Sequence, residues 1–107
     1  MERVSRIDML REMLTKEAKD VFLNYALALE LMTDLKSIRE AEVLFLKVLQ
    51  LDENYLAAYY QLGKLFESEL KNEEALGYYK TGLEKARIQK NNKAINEFGE
   101  AVFMLED

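Results

Sequence analysis

The sequence predicts an all-α protein of antiparallel helix-turn-helix repeats, five to six helices in a single domain, and three observations predict it. The chain of 107 residues holds no proline and 4 glycines, so the two strongest helix breakers are nearly missing. Apolar residues recur at three- and four-residue spacing between short polar stretches. The pattern also echoes itself at a fixed offset of 34 residues, the mark of a repeat architecture. Hydrophobic residues make up 50% of the chain and charged residues 33%, a composition that folds, and the length suits one continuous core.

The first helix, within 5–19, begins where Ser5-Arg6-Ile7-Asp8 offers a hydroxyl to an orphan amide and a carboxylate three residues on; Ile7, Leu10 and Leu14 form its apolar stripe. Polar residues from Thr15 to Asp20 separate it from a second helix over Val21 to Thr33, capped by Asp20 and carrying Phe22, Tyr25, Leu29 and Met32. Asp34 to Lys36 turns the chain. Ser37-Ile38-Arg39-Glu40 repeats the capping pattern ahead of a third helix with Ala41, Leu44, Phe45, Val48 and Leu49. After Asp52-Glu53-Asn54, the stretches Tyr55 to Glu69 and Glu73 to Gln89 repeat the two-helix layout, with Asn72 placed to cap the latter. A break at Lys90 to Asn92 precedes the last helix, to Leu105, with Ile95, Phe98, Val102 and Leu105 on one face.

The 34-residue offset aligns Tyr25 with Tyr59, Met32 with Phe66, Ala41 with Ala75, Phe45 with Tyr79 and Leu49 with Leu83. The small residues Gly63 and Ala75 let paired helices approach closely, while Tyr59, Phe66 and Tyr79 fill the space between them and their neighbours. Gly82 serves close approach too, whereas nothing in the pattern explains Gly77. In Tyr59, Leu62-Gly63, Phe66, Ala75, Tyr79 and Leu83 the chain resembles the tetratricopeptide repeat family. The first copy departs from that pattern, with Ala28-Leu29 in place of Leu62-Gly63, and Glu53 and Arg87 stand where the family often has proline. The resemblance covers Phe22 to Gln89. It implies a repeat at 22–55, a second at 56–89, a capping helix at 92–107 that reads as a truncated third copy through Ile95, Phe98-Gly99 and Val102, and an opening helix that caps the other end. A polar outer face for the last helix is expected from Lys93, Asn96, Glu97 and Glu100.

The composition excludes more functions than it suggests. Without cysteine or histidine the chain lacks the commonest nucleophile, general base and transition-metal ligands, so neither catalysis nor a cofactor nor a metal is expected. Twenty acids against fifteen bases, a net charge of −5, disfavour nucleic acid. No apolar run is long enough for a bilayer, and the charges at Glu2, Arg3, Arg6, Asp8 and Arg11 are unlike a secretory leader, so the chain is expected to start near Met1 and to be cytoplasmic. The acid pairs Asp52-Glu53 and Glu73-Glu74 flank helix starts, where the dipole favours negative charge.

The resemblance implies a protein-interaction scaffold whose first helices line a concave groove for a partner's peptide or helix. By register the lining comes from Leu23, Ala26 and Glu30, then Ala57, Tyr60 and Lys64, then Lys93 and Asn96. Tyr60 is the leading candidate, an aromatic with a polar tip, and Tyr60→Ala is expected to weaken partner capture with thermal stability nearly unchanged. Ala26 and Glu30 stand where one subset of the family places a Lys and an Asn to grip acidic tails, so that mode is not expected. The alternative is a structural homodimer whose self-association is the function.

Overall fold

The computed structural model describes residues 5–106, so Glu2 and Arg3 lie outside the described residues. Six α-helices and one 3-10 turn account for most of them. No helix among the described residues is long and apolar enough to cross a membrane. The contacts divide the chain into two compact units, Met1–Glu53 and Asn54–Asp107.

The first unit contains α1 (Arg6–Lys16), α2 (Val21–Leu31), a 3-10 turn (Leu35–Ser37) and α3 (Ile38–Leu51). Ser5 Oγ accepts the Asp8 amide at 3.0 Å and Asp20 Oδ1 accepts the Leu23 amide at 2.8 Å, so both helices start at the residues that the capping chemistry predicts. α1 ends at Lys16 and α2 at Leu31, each shorter than expected, and the turn between α1 and α2 is tied by buried Asn24, whose Nδ2 donates to the Ala18 and Asp20 carbonyls. α2 buries residues around nearly its whole circumference, as its almost uniformly apolar sequence requires. Ala41, Phe45 and Val48 of α3 are fully buried, and Phe45 meets Tyr25 edge-on at 5.8 Å.

The start of α3 departs from the expected capping box. Ser37 makes no side-chain cap; Asp34 Oδ1 instead accepts the Lys36 amide at 3.0 Å and forms the 3-10 turn. Glu40 is drawn away by Arg11 of α1, whose guanidinium donates to both carboxylate oxygens at 2.6 and 3.0 Å. A forked pair with a full charge outcompetes a neutral backbone amide for that carboxylate. It also holds the Glu40 carboxyl below its ordinary range. Arg6 binds Glu30 at 2.7 Å, a second tie from α1, in this case to α2.

The second unit contains α4 (Leu56–Ser68), α5 (Asn72–Gln89) and α6 (Asn92–Leu105). Gln89 at the end of α5 donates to the Asn54 carbonyl ahead of α4 at 2.9 Å, so the two helices run antiparallel. α4 ends with Leu70 in the left-handed region at φ 61°, its amide donating to the Glu67 carbonyl and the Lys71 amide to that of Phe66. This turn decides where α5 begins: Lys71 takes the N-cap position without a side-chain bond, and Asn72, expected as the cap, is the first helical residue. α5 ends the same way, with Lys90 at φ 57° and the Asn91 amide donating to the Ala86 carbonyl. Asn91 then caps α6, its Oδ1 accepting the Ala94 amide at 3.0 Å.

Two glycines set the packing of this unit. A Cβ at Gly63 of α4 would run into the Tyr79 ring of α5, and one at Gly82 of α5 into the Phe98 ring of α6, both well inside van der Waals contact. Each ring therefore lies directly on bare backbone. Gly77 faces open space, in keeping with the lack of any packing role for it in the sequence.

Candidate partner-binding site

The second unit has an open cleft between α4 and α6, and its floor is aromatic. Tyr60 of α4 lies 5.7 Å from the Tyr79 ring and 5.7 Å, edge-on, from the Phe98 ring. Tyr60 lines two parts of the cleft, of about 400 and 360 Å³. In the larger part α4 contributes Tyr60, Lys64 and Glu67, and α6 contributes Glu97, Glu100, Ala101 and Met104. The smaller part adds Ala57 and Gln61 from α4 and Ala94 from α6.

The electrostatics are lopsided. Three carboxylates, Glu67, Glu97 and Glu100, share the larger part with one ammonium, Lys64, whose Nζ is 5.8 Å from the Tyr60 ring centroid. Buried Tyr79 donates its hydroxyl to Glu67 Oε1 at 2.9 Å. Burial, reinforced by that hydrogen bond and the negative charge behind it, pushes the Tyr79 phenol well above its usual value. Tyr79 thus stays a neutral donor and fixes one oxygen of Glu67 at the cleft. Among the described residues no three acids gather in a way that could hold a metal ion.

The eight groove residues named from sequence meet different fates. Ala57, Tyr60 and Lys64 come together on the α4 wall of the cleft. Leu23 and Ala26 are buried, with 6% and 5% of their surface exposed, and Glu30 is partly exposed and engaged by Arg6. Lys93 and Asn96 are exposed on α6 but line neither part of the cleft. The reason is geometric. Register counting takes the same helical positions in every repeat, whereas a cleft between successive first helices is walled by opposite flanks of the two. The α6 flank holds Ala94, Glu97 and Ala101, so Glu97 and Glu100 do not join the polar outer face foreseen for this helix, and Phe103 there is 78% exposed. Counting one position further along α6 would have found Ala94 and Glu97.

Tyr60 also has a packing role, since it touches two core rings. Tyr60→Ala would remove both contacts, so the expectation that it leaves stability nearly unchanged does not fit this geometry.

Solved structures similar to this chain include two tetratricopeptide repeat domain structures. A solution NMR structure of a tetratricopeptide repeat domain protein from Salinibacter ruber is 34% identical, with a TM-score of 0.74, over 81% of this chain and 87% of that one. A crystal structure of a tetratricopeptide repeat domain protein from the same organism is 32% identical, with a TM-score of 0.72, over 80% of this chain and 96% of that one. No family model matches the chain, and no curated protein does.

Proposed function

Since this chain belongs to the tetratricopeptide repeat family, we propose that it is a protein-interaction module, not an enzyme, and that the cleft between α4 and α6 receives a cationic segment of its partner. The observation that supports this reading is the excess of carboxylates around an aromatic floor: Glu67, Glu97 and Glu100 against Lys64, beside the Tyr60 ring. A lysine or arginine side chain entering there gains from the partly shielded carboxylates, as Lys64 over the Tyr60 ring already does, while an acidic tail is repelled. The binding surface in this reading keeps Ala57, Tyr60 and Lys64 and adds Glu67, Glu97 and Glu100. The stretches 22–55 and 56–89 are the two repeats, flanked by 5–19 and 92–107.

Matched synthetic peptides, one rich in Lys and Arg and one rich in Asp and Glu, test the proposal by fluorescence anisotropy with the whole chain. The basic peptide should bind, and replacing Glu97 and Glu100 by Gln should weaken it about tenfold. The control replaces Glu73 and Glu74 by Gln on α5, an equal change in net charge, and should leave affinity unchanged. Equal weakening by both double variants would reduce the effect to net charge and remove the cleft from the account.

A further inference from the structure

The cleft between α4 and α6 has two unlike ends. Both helices run the same way along it: Leu56 and Asn91, at the helix starts, line the smaller part, and Glu67 and Met104, near the helix ends, line the larger. Glu67 and Glu100 belong to the larger part alone, and Glu97 stands between the two. Among the described residues no lysine or arginine forms an ion pair with any of these three carboxylates. The smaller part is otherwise uncharged, and Leu56, Ala57, Ala94 and Phe98 give it apolar walls. The helix dipoles sharpen the contrast, since both positive ends lie at the smaller part and both negative ends at the larger.

Resting on the proposal that the cleft takes a cationic segment, we infer that this segment is extended and carries two anchors: a Lys or Arg for the larger part and a leucine-sized apolar residue three positions away for the smaller. The cation has one place to go. In the smaller part it would meet two helix N-termini and apolar walls, which disfavour charge. In the larger part its head meets Glu67 and Glu100 while its methylene stem lies along Ala101 and Met104. An apolar side chain is sorted the other way, because the smaller part removes it from water against Ala57, Ala94 and Phe98. The spacing follows from helix geometry: Ala57 to Lys64 on one wall and Ala94 to Ala101 on the other each span about 10 Å of helix rise. Extended chain of the polyproline type covers about 9 Å in three residues and returns its side chain to the same side. Tyr60 of α4 lies 5.7 Å from the Phe98 ring of α6, so one side chain reaches from wall to wall. That width suits a single extended strand, not a helix about 10–12 Å across.

Peptides blocked at both ends test this with the whole chain, each competing with the labelled basic peptide in the anisotropy assay. One carries Leu-Pro-Pro-Arg, a second has serine in place of the leucine, and a third sets the leucine next to the arginine. The reversed order, Arg-Pro-Pro-Leu, is included because the cleft fixes the spacing and not the chain direction. The better of the two spaced orders should bind about fivefold or more tightly than the serine and adjacent-leucine peptides. Glu100→Gln, in the larger part alone, should weaken the leucine and serine peptides by the same factor. Ala57→Gln, which fills the smaller part, should erase the leucine advantage. If a thermal melt shows Ala57→Gln unfolded, the peptide series decides by itself. Three results would overturn the inference. One is a spaced leucine no better than serine or than an adjacent leucine while the basic peptide still binds, which leaves the basic-partner proposal intact. Another is a leucine advantage that survives Ala57→Gln in a folded chain, which would seat the leucine elsewhere. The third is binding of none of the peptides, the labelled basic one included, which would reject the cleft as well.

Discussion

At the residue scale the second unit is organised by what two glycines lack. Gly63 and Gly82 admit the rings of Tyr79 and Phe98 onto bare backbone, while Gly77 admits nothing. The two kinds of glycine should therefore respond oppositely to one methyl group. Gly63→Ala must displace a buried, hydrogen-bonded ring and should cost about 1–3 kcal/mol. Gly77→Ala removes backbone freedom from the unfolded chain at an open helical site and should stabilise by about 0.5–1 kcal/mol. Thermal or urea denaturation of the two variants checks both signs. Tyr79 supplies a pH signature. Its phenol is pushed up by burial and then by Glu67, so the fold favours the neutral form. The stability that this provides is full below the ordinary tyrosine value near ~10 and is lost as pH rises above it. Wild type should lose stability above about pH 10 more steeply than Tyr79→Phe, and the variant should cost about 1–2 kcal/mol at neutral pH because Glu67 loses its donor. Parallel denaturation curves at neutral and alkaline pH measure the difference.

At the element scale the helix ends separate what local chemistry can reveal from what it cannot. Ser5 and Asp20 cap where sequence places them, because an Ncap bond spans three residues and needs nothing else. Ser37 does not cap, because it closes the 3-10 turn at ψ 7° with its hydroxyl donating to Asp34, and the Glu40 carboxylate is taken by Arg11 from 29 residues away. Asn72 does not cap, because the turn that ends α4 has already fixed the start of α5. The cleft follows the same division. Tyr60 and Lys64 were legible from the repeat, but Glu97 and Glu100 required knowing that neighbouring helices oppose different flanks. The turn at Leu70 yields its own prediction. A branched side chain sits there in the left-handed region with 87% of its surface exposed, so it bears the backbone cost without burial in return. The adjoining contact that usually seals such a turn is made instead by Lys71, whose Nζ lies 5.8 Å over the Phe66 ring. Leu70→Gly should stabilise the chain by about 0.5–1 kcal/mol, read from the shift in its melting transition.

At the scale of the whole molecule the net charge of −5 and the acidic cleft both favour the proposed basic partner, whose association would be assisted by charge at long range and selected at short range. Long-range attraction fades as salt shortens the Debye length, so affinity for a basic peptide should fall with ionic strength, while the ring contacts at Tyr60 persist. That distinction matters because any acidic protein attracts a basic peptide weakly. The most direct test is therefore positional: a Lys/Arg-rich peptide titrated into the isotopically labelled chain at physiological salt, followed by amide chemical shifts. The account predicts saturable shifts concentrated at Tyr60, Lys64, Glu67, Glu97 and Ala101. Shifts scattered over the acidic surface, or gathered on the first unit while the α4–α6 cleft stays silent, would contradict it.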